Sequence, residues 1–219
     1  MFRVGASVVV VGAIAAALVP TRATAKSAAP QLVVRLYDAF GVAPEQMATA
    51  RTTADGVFKR AGIDVIWRNC RLIAMADPSS TLCDHAVEPQ EVLLRIIAAG
   101  SHGTAGSLGY SSVDALQKSY CLATVLADRI GALATRTHVD GGKLLGRVMV
   151  HEIAHLLLGT PDHSPVGLMR ARWSDDQVQR ERPVDWMLSP DDVKRVRLGF
   201  LARVRVLTAA ARHAVVPPA

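Results

Sequence analysis

Hydrophobic positions along the chain fall into short alternating runs, longer helical stripes and one opening block without charge. The opening block runs from Val4 to Val19, after Arg3, and Pro20 ends it. Residues 31–40 (QLVVRLYDAF) are rich in β-branched and aromatic side chains and predict a first strand. From 44 to 62, Pro44 suits an early helical position. Met47, Ala48, Ala50, Ala54, Val57, Phe58 and Ala61 then form a stripe near helical spacing that Gly62 closes. Residues 63–67 (IDVIW) alternate and predict a second strand. Residues 91–98 (EVLLRIIA) predict a third, although their composition also suits a helix. The Gly-, Ser- and Thr-rich stretch 100–109 reads as a loop and 119–126 (SYCLATVL) as a fourth strand. A short helix over 128–134 and a loop through Asp140-Gly141-Gly142 follow.

Residues 143–158 (KLLGRVMVHEIAHLLL) predict a strong helix, with Asp140 able to cap its start and Gly159 and Pro161 stopping it. A further helix starts near Ser174. Ser189-Pro190-Asp191-Asp192 opens a last one, whose Val193, Val196, Leu198, Phe200 and Leu201 supply apolar surface. This order predicts an α/β (α+β) fold, a mixed twisted sheet with packed helices and a small helical C-terminal part. At 219 residues, half of them hydrophobic, the chain suits one well-buried domain, here 26–219.

The opening block is too short for a membrane span and has the layout of a secretory signal peptide, 1–25, with Ala23-Thr24-Ala25 as the cleavage site. The expectation is export to the periplasm or beyond the cell, with no transmembrane span in the mature chain. Removing that segment takes away Arg3 and Arg22 and no acid, lowering the formal charge from +6 by two. The late basic residues, from Lys194 to Arg212, read as the solvated face of the last helix. Without interleaved aromatics they predict no nucleic-acid partner. Of the three cysteines, Cys70 and Cys83 flank a loop-like stretch and are expected to form a disulfide, leaving Cys121 as a buried thiol. Their spacing suits no cysteine zinc site.

The chemistry lies in His151-Glu152-Ile153-Ala154-His155. Residues four apart share a helix face, so both imidazoles can reach one metal ion, with Glu152 beside them to take a proton from water. After Arg147 these three are almost the only polar residues of an apolar helix. Burying them costs free energy unless an ion compensates, and zinc does so. A catalytic zinc needs a third protein ligand and an open position. His163 follows the helix-ending Gly159 in a turn that can bring it back. Asp175, twenty positions after His155, is the rival third ligand, with Asp162 a weaker one; Asp175 and Asp176 can instead cap the helix near Ser174. His85, His102, His138 and His213 read as surface or loop residues.

HEIAHLLLGTPDHS, followed by Gly167-Leu168-Met169, resembles the metzincin metallopeptidases. Three leucines separate His155 from Gly159 where that family has two residues, and His163 follows His155 by eight positions rather than six. The resemblance implies a zincin-like fold. It implies His151, His155 and His163 as ligands of one Zn2+, Glu152 as general base, and Met169 in a turn under the metal. The activity it implies is hydrolysis of internal peptide bonds in a peptide or protein substrate. The substrate would lie along an edge strand, expected at 119–126, with the 170–189 loop, Trp173 and Trp186 shaping one wall. The protein is expected to act as a monomer. The alternative is a zinc-stabilised binding module of the same fold that cleaves nothing.

Overall fold

The computed structural model describes residues 31–71, 81–100, 104, 106–113 and 122–214, the backbone alone at 81, 82 and 206–214. The expected signal peptide, His102 and Cys121 lie outside the described residues, as does the side chain of His213.

Five strands form one sheet in the order β2-β1-β3-β5-β4. They are β1 (Gln31–Asp38), β2 (Asp64–Cys70), β3 (Glu91–Ile97), β4 (Gly109–Ser112) and β5 (Leu122–Leu126). All neighbours are parallel except β4, which runs antiparallel to β5. The helices are α1 (Pro44–Arg60), α2 (Thr81–Asp84), α3 (Ala127–Thr137), α4 (Gly141–Leu158), α5 (Asp175–Arg180) and α6 (Pro190–Ala214). Residues 91–98 are thus a strand and not a helix. In β3 the buried Val92, Leu94 and Ile96 alternate with half-buried Leu93, Arg95 and Ile97, and so short and largely apolar a run is not separated from a helix by periodicity alone.

Two expectations change at the sheet's edge. Gly109, the end of the stretch that reads as a loop, begins strand β4 (Gly109–Ser112), for which the sequence predicts no element. The strand expected at the edge, β5, lies between β3 and β4. The reason is compositional: GYSS offers no apolar alternation, and it pairs because β5 presents an open side to it.

The core forms where Leu32, Val34 and Leu36 of β1 and Val92, Leu94 and Ile96 of β3 meet α1 and α4. Helix α4 is buried over nearly its whole circumference. Its close neighbours need glycine: a Cβ on Gly146 would lie 2.3 Å from the Ala50 carbonyl oxygen of α1, and one on Gly199 of α6 would lie 1.9 Å from that of Leu157. Asp140 caps α4, accepting from the Lys143 N–H at 2.8 Å, and Gly159 ends it with φ +65°.

Arg35 points from β1 away from the aliphatic core and is 1% exposed. Its guanidinium binds the Glu91 carboxylate and donates to the carbonyls of Cys83, His85 and Ala86. Arg68 reaches the same carboxylate at 2.7 Å, and His85 Nε2 stands 3.4 Å from it. Burial alone would raise the Glu91 carboxyl. The Glu88 N–H and Arg35 outweigh that and hold it below its ordinary value. The Cys70–Cys83 disulfide, with Cα atoms 5.9 Å apart, ties β2 to the start of the segment whose carbonyls Arg35 uses. Arg35→Ala would leave the buried Glu91 carboxylate to Arg68 and the Glu88 N–H and should cost about 1.5–3 kcal/mol, read as a lowered denaturant midpoint at unchanged slope.

Candidate metal centre

Helix α4 presents His151 and His155 on one face, one turn apart. His151 Nδ1 lies 2.9 Å from the Leu168 carbonyl oxygen, and His155 Nδ1 lies 3.0 Å from that of Thr160. A carbonyl only accepts, so each Nδ1 carries the hydrogen and each Nε2 is left with a lone pair. Those two Nε2 atoms face each other at 3.1 Å. Two lone pairs so close repel unless a cation sits against both. Around a tetrahedral zinc with Zn–N near 2.0–2.1 Å, ligand nitrogens stand about 3.3 Å apart.

His163 completes the set. Its ring centroid is 5.2 Å from that of His151 and 4.7 Å from that of His155. One ligand atom from each of the three lies within 4.8 Å of the others. Two of the imidazoles are buried and His163 is exposed, on the cleft side. The donor set of three neutral imidazoles fits zinc. Asp175 stands outside it: its carboxylate makes two bonds to Arg136, at 2.8 and 3.1 Å. Ser174, not Asp175, caps α5, in a reciprocal bond pair with Gln177. Asp162 accepts from the Thr160 hydroxyl at 2.6 Å. His138 ends α3 with φ +55° and His85 sits against Glu91, so neither joins the cluster.

Burial sets the electrostatics. It pushes His151 down to about 3, against the opposing bond to Leu168, and His155 and His163 are lowered for the same first reason. The imidazoles are therefore unprotonated near neutral pH, the form that binds metal. Burial raises the Glu152 carboxyl to about 7, only partly offset by the Ser111 hydroxyl.

Glu152 meets β4. Ser111 Oγ lies 2.7 Å from Glu152 Oε2 and 2.7 Å from its main-chain oxygen. Two residues earlier, a Cβ on Gly109 would come within 2.8 Å of Glu152 Oε1. Gly109 ends the stretch that reads as a loop and Ser111 lies in no predicted element, and nothing local in the sequence marks either.

The turn carrying Met169 is held by two main-chain hydrogen bonds. Ser164 N–H donates to the Met169 carbonyl at 2.8 Å, Leu168 N–H to that of Met187 at 2.9 Å, and Gly167 has φ +72°. Met169 is fully buried. Its neighbour Leu168 supplies the carbonyl that orients His151. Beside His163, the Ser164 hydroxyl donates to Asp192 at 2.6 Å; Asp192 also accepts from Ser189 at 2.7 Å and is 1% exposed. Ser189-Pro190-Asp191-Asp192 is legible as a helix start, but the second partner of Asp192 is not. Trp173 lies edge-on to His151 with centroids 5.7 Å apart and packs on buried Trp186 at 5.0 Å. Arg147 covers Trp186 at 4.1 Å and pairs with Glu181 at 3.0 Å. The cleft in front has a volume near 1010 Å³ and runs past β4, the three histidines and residues 170–173.

No protein-family model and no curated protein matches the chain. Among solved structures, the chain is similar to archaemetzincin from Methanopyrus kandleri. The identity is 15%, over 78% of this chain and 96% of that one, with a TM-score of 0.49. It is also similar to a zinc-dependent peptidase from Methanocorpusculum labreanum (strain Z). There the identity is 13%, over 75% of this chain and 99% of the other, with a TM-score of 0.46. Both likenesses are distant and neither assigns a residue.

Two outcomes follow from the geometry. Asp192→Ala frees the loop that carries His163 and should weaken zinc binding about 10- to 100-fold in chelator competition. The second concerns the metal-free protein. Folded histidines held below their unfolded value near 6.5 bind fewer protons than the unfolded chain as the pH falls, so acidification from that point removes stability. Glu152, raised to about 7, opposes this, because the folded protein keeps its proton above the ordinary 4.5. In chelated Glu152→Gln protein, where that opposing carboxyl is gone, the melting point should therefore be lower at about pH 5 than at about pH 7.5. A higher melting point at the acid value would contradict the assignment.

Proposed function

We propose that this chain is a zinc metallopeptidase that hydrolyses internal bonds of peptides or proteins, with His151, His155 and His163 as ligands and Glu152 as general base. The observation that carries the reading is the pair of facing Nε2 lone pairs, 3.1 Å apart, completed by His163 at the wall of an open cleft. A zinc ion held there supplies Lewis acidity, acidifying water and polarising a carbonyl.

The chain's own residues do the rest. The carbonyls of Leu168 and Thr160 fix the tautomers of His151 and His155, so that both Nε2 atoms point outward. Glu152, on the same helix and raised towards neutral by burial, takes a proton from the attacking water and delivers one to the leaving amine. Met169 forms the apolar floor beneath the ligands.

Strand β4 receives the substrate. Leu126 N–H donates to the Leu108 carbonyl at 2.9 Å, and the register pairs Gly109 with Val125. In such an antiparallel ladder, residues 108, 110 and 112 exchange bonds with β5, while the main-chain groups of Gly109 and Ser111 turn to the open edge. A peptide added there gains affinity from backbone pairing with little side-chain selection, which suits bonds inside a chain. The Cys70–Cys83 disulfide supports an oxidising compartment, in line with the export proposed from the N-terminal pattern.

Purified protein should contain one zinc per chain. His163→Ala should lose it and Asp175→Ala should keep it, measured by elemental analysis after dialysis; the opposite result would move the third ligand to Asp175. Glu152→Gln should retain zinc while turnover of a broad peptide library falls by about 100- to 10,000-fold. A wild type that holds zinc and cleaves nothing would be a binding module instead.

A further inference from the structure

We propose that Ser111 is the positioning residue for Glu152, and that strand β4 thereby sets the base as well as receiving the substrate. This rests on the peptidase reading above. Gly109 and Ser111 share one side of β4, since side chains alternate along a strand. That side faces α4: the space a Cβ would take on Gly109 is filled by the Glu152 Cγ and Oε1, each 2.8 Å from it, and the Ser111 hydroxyl reaches Glu152 Oε2 at 2.7 Å. The carboxylate is thus confined on one side by bare backbone and on the other by a directed hydrogen bond.

The hydroxyl has a second contact, the main-chain oxygen of Glu152, also at 2.7 Å. A hydroxyl carries one hydrogen and accepts as well. It can donate to the carboxylate, or turn to the main-chain carbonyl and accept from the carboxyl once that group holds a proton. The same side chain can therefore hold Glu152 in both halves of a cycle in which it takes a proton and gives it back. Alanine keeps the strand and loses both bonds. Threonine keeps the hydroxyl and suits a strand.

The test compares wild type, Ser111→Ala and Ser111→Thr, each loaded with zinc. Metal content, kcat and KM on a cleaved library peptide, and affinity for a peptide hydroxamate are measured for each. Loss of about 10- to 100-fold in kcat for Ser111→Ala is expected, with KM and zinc content unchanged and most of the rate recovered in Ser111→Thr. An unchanged kcat in Ser111→Ala overturns the proposal. So does a loss of kcat that comes with lost zinc or raised KM, which marks a merely structural residue. Should the wild type cleave nothing, the peptidase reading fails by itself, and the hydroxamate decides for Ser111. Hydroxamate affinity at least about tenfold weaker in Ser111→Ala supports its hold on Glu152, and equal affinity overturns it.

Discussion

The metal centre depends on two imidazoles that share one buried helix face with their free nitrogens turned towards each other. His151 and His155 have spent their Nδ1 hydrogens on carbonyls from outside the helix, so what remains is a pair of lone pairs 3.1 Å apart. Such a pair is unfavourable alone and favourable around a cation. The neighbourhood explains why the cost is tolerated. Helix α4 is anchored by its contacts with α1, the sheet and α6, and those contacts do not depend on the polar residues it carries.

The remaining parts orient what α4 presents. The Met169 turn brings the Leu168 carbonyl to His151. The Ser164–Asp192–Ser189 bonds fasten the loop of His163 to the start of α6. Trp173 closes the side of His151, and Trp186 and Arg147 stand behind it. Strand β4 supplies the other wall and touches Glu152 directly. The histidines come from a helix and a loop, and the contacts on Glu152 from a sheet edge. The geometry of the centre therefore depends on all three packing together.

A second polar cluster lies on the other side of β1. Arg35, Glu91 and Arg68 are joined by three carbonyls to residues 83–86, which the disulfide ties to β2 at Cys83. It shares no residue with the centre. Charged groups so buried hold only while their partners stay in place. The disulfide lowers the entropy of the unfolded chain and keeps those carbonyls at hand.

The helix of residues 143–158, its two histidines and its glutamate were legible in the chain because period, cap and breaker are all local. So were the first three strands, the long helices and the Cys70–Cys83 pair. His163 could be named from its place after the glycine turn, but only the fold shows it near the other two while Asp175 is held by Arg136. Strand β4 was invisible: Gly-Tyr-Ser-Ser carries no pattern, and it becomes a strand only because β5 offers an unpaired edge. With it went Gly109 and Ser111, whose importance lies in what stands opposite them. Helix signals act within a turn or two of the chain, so a sequence can state them. A sheet edge, and the carboxylate pressed against it, come from residues some forty positions apart, and only their packing brings them together.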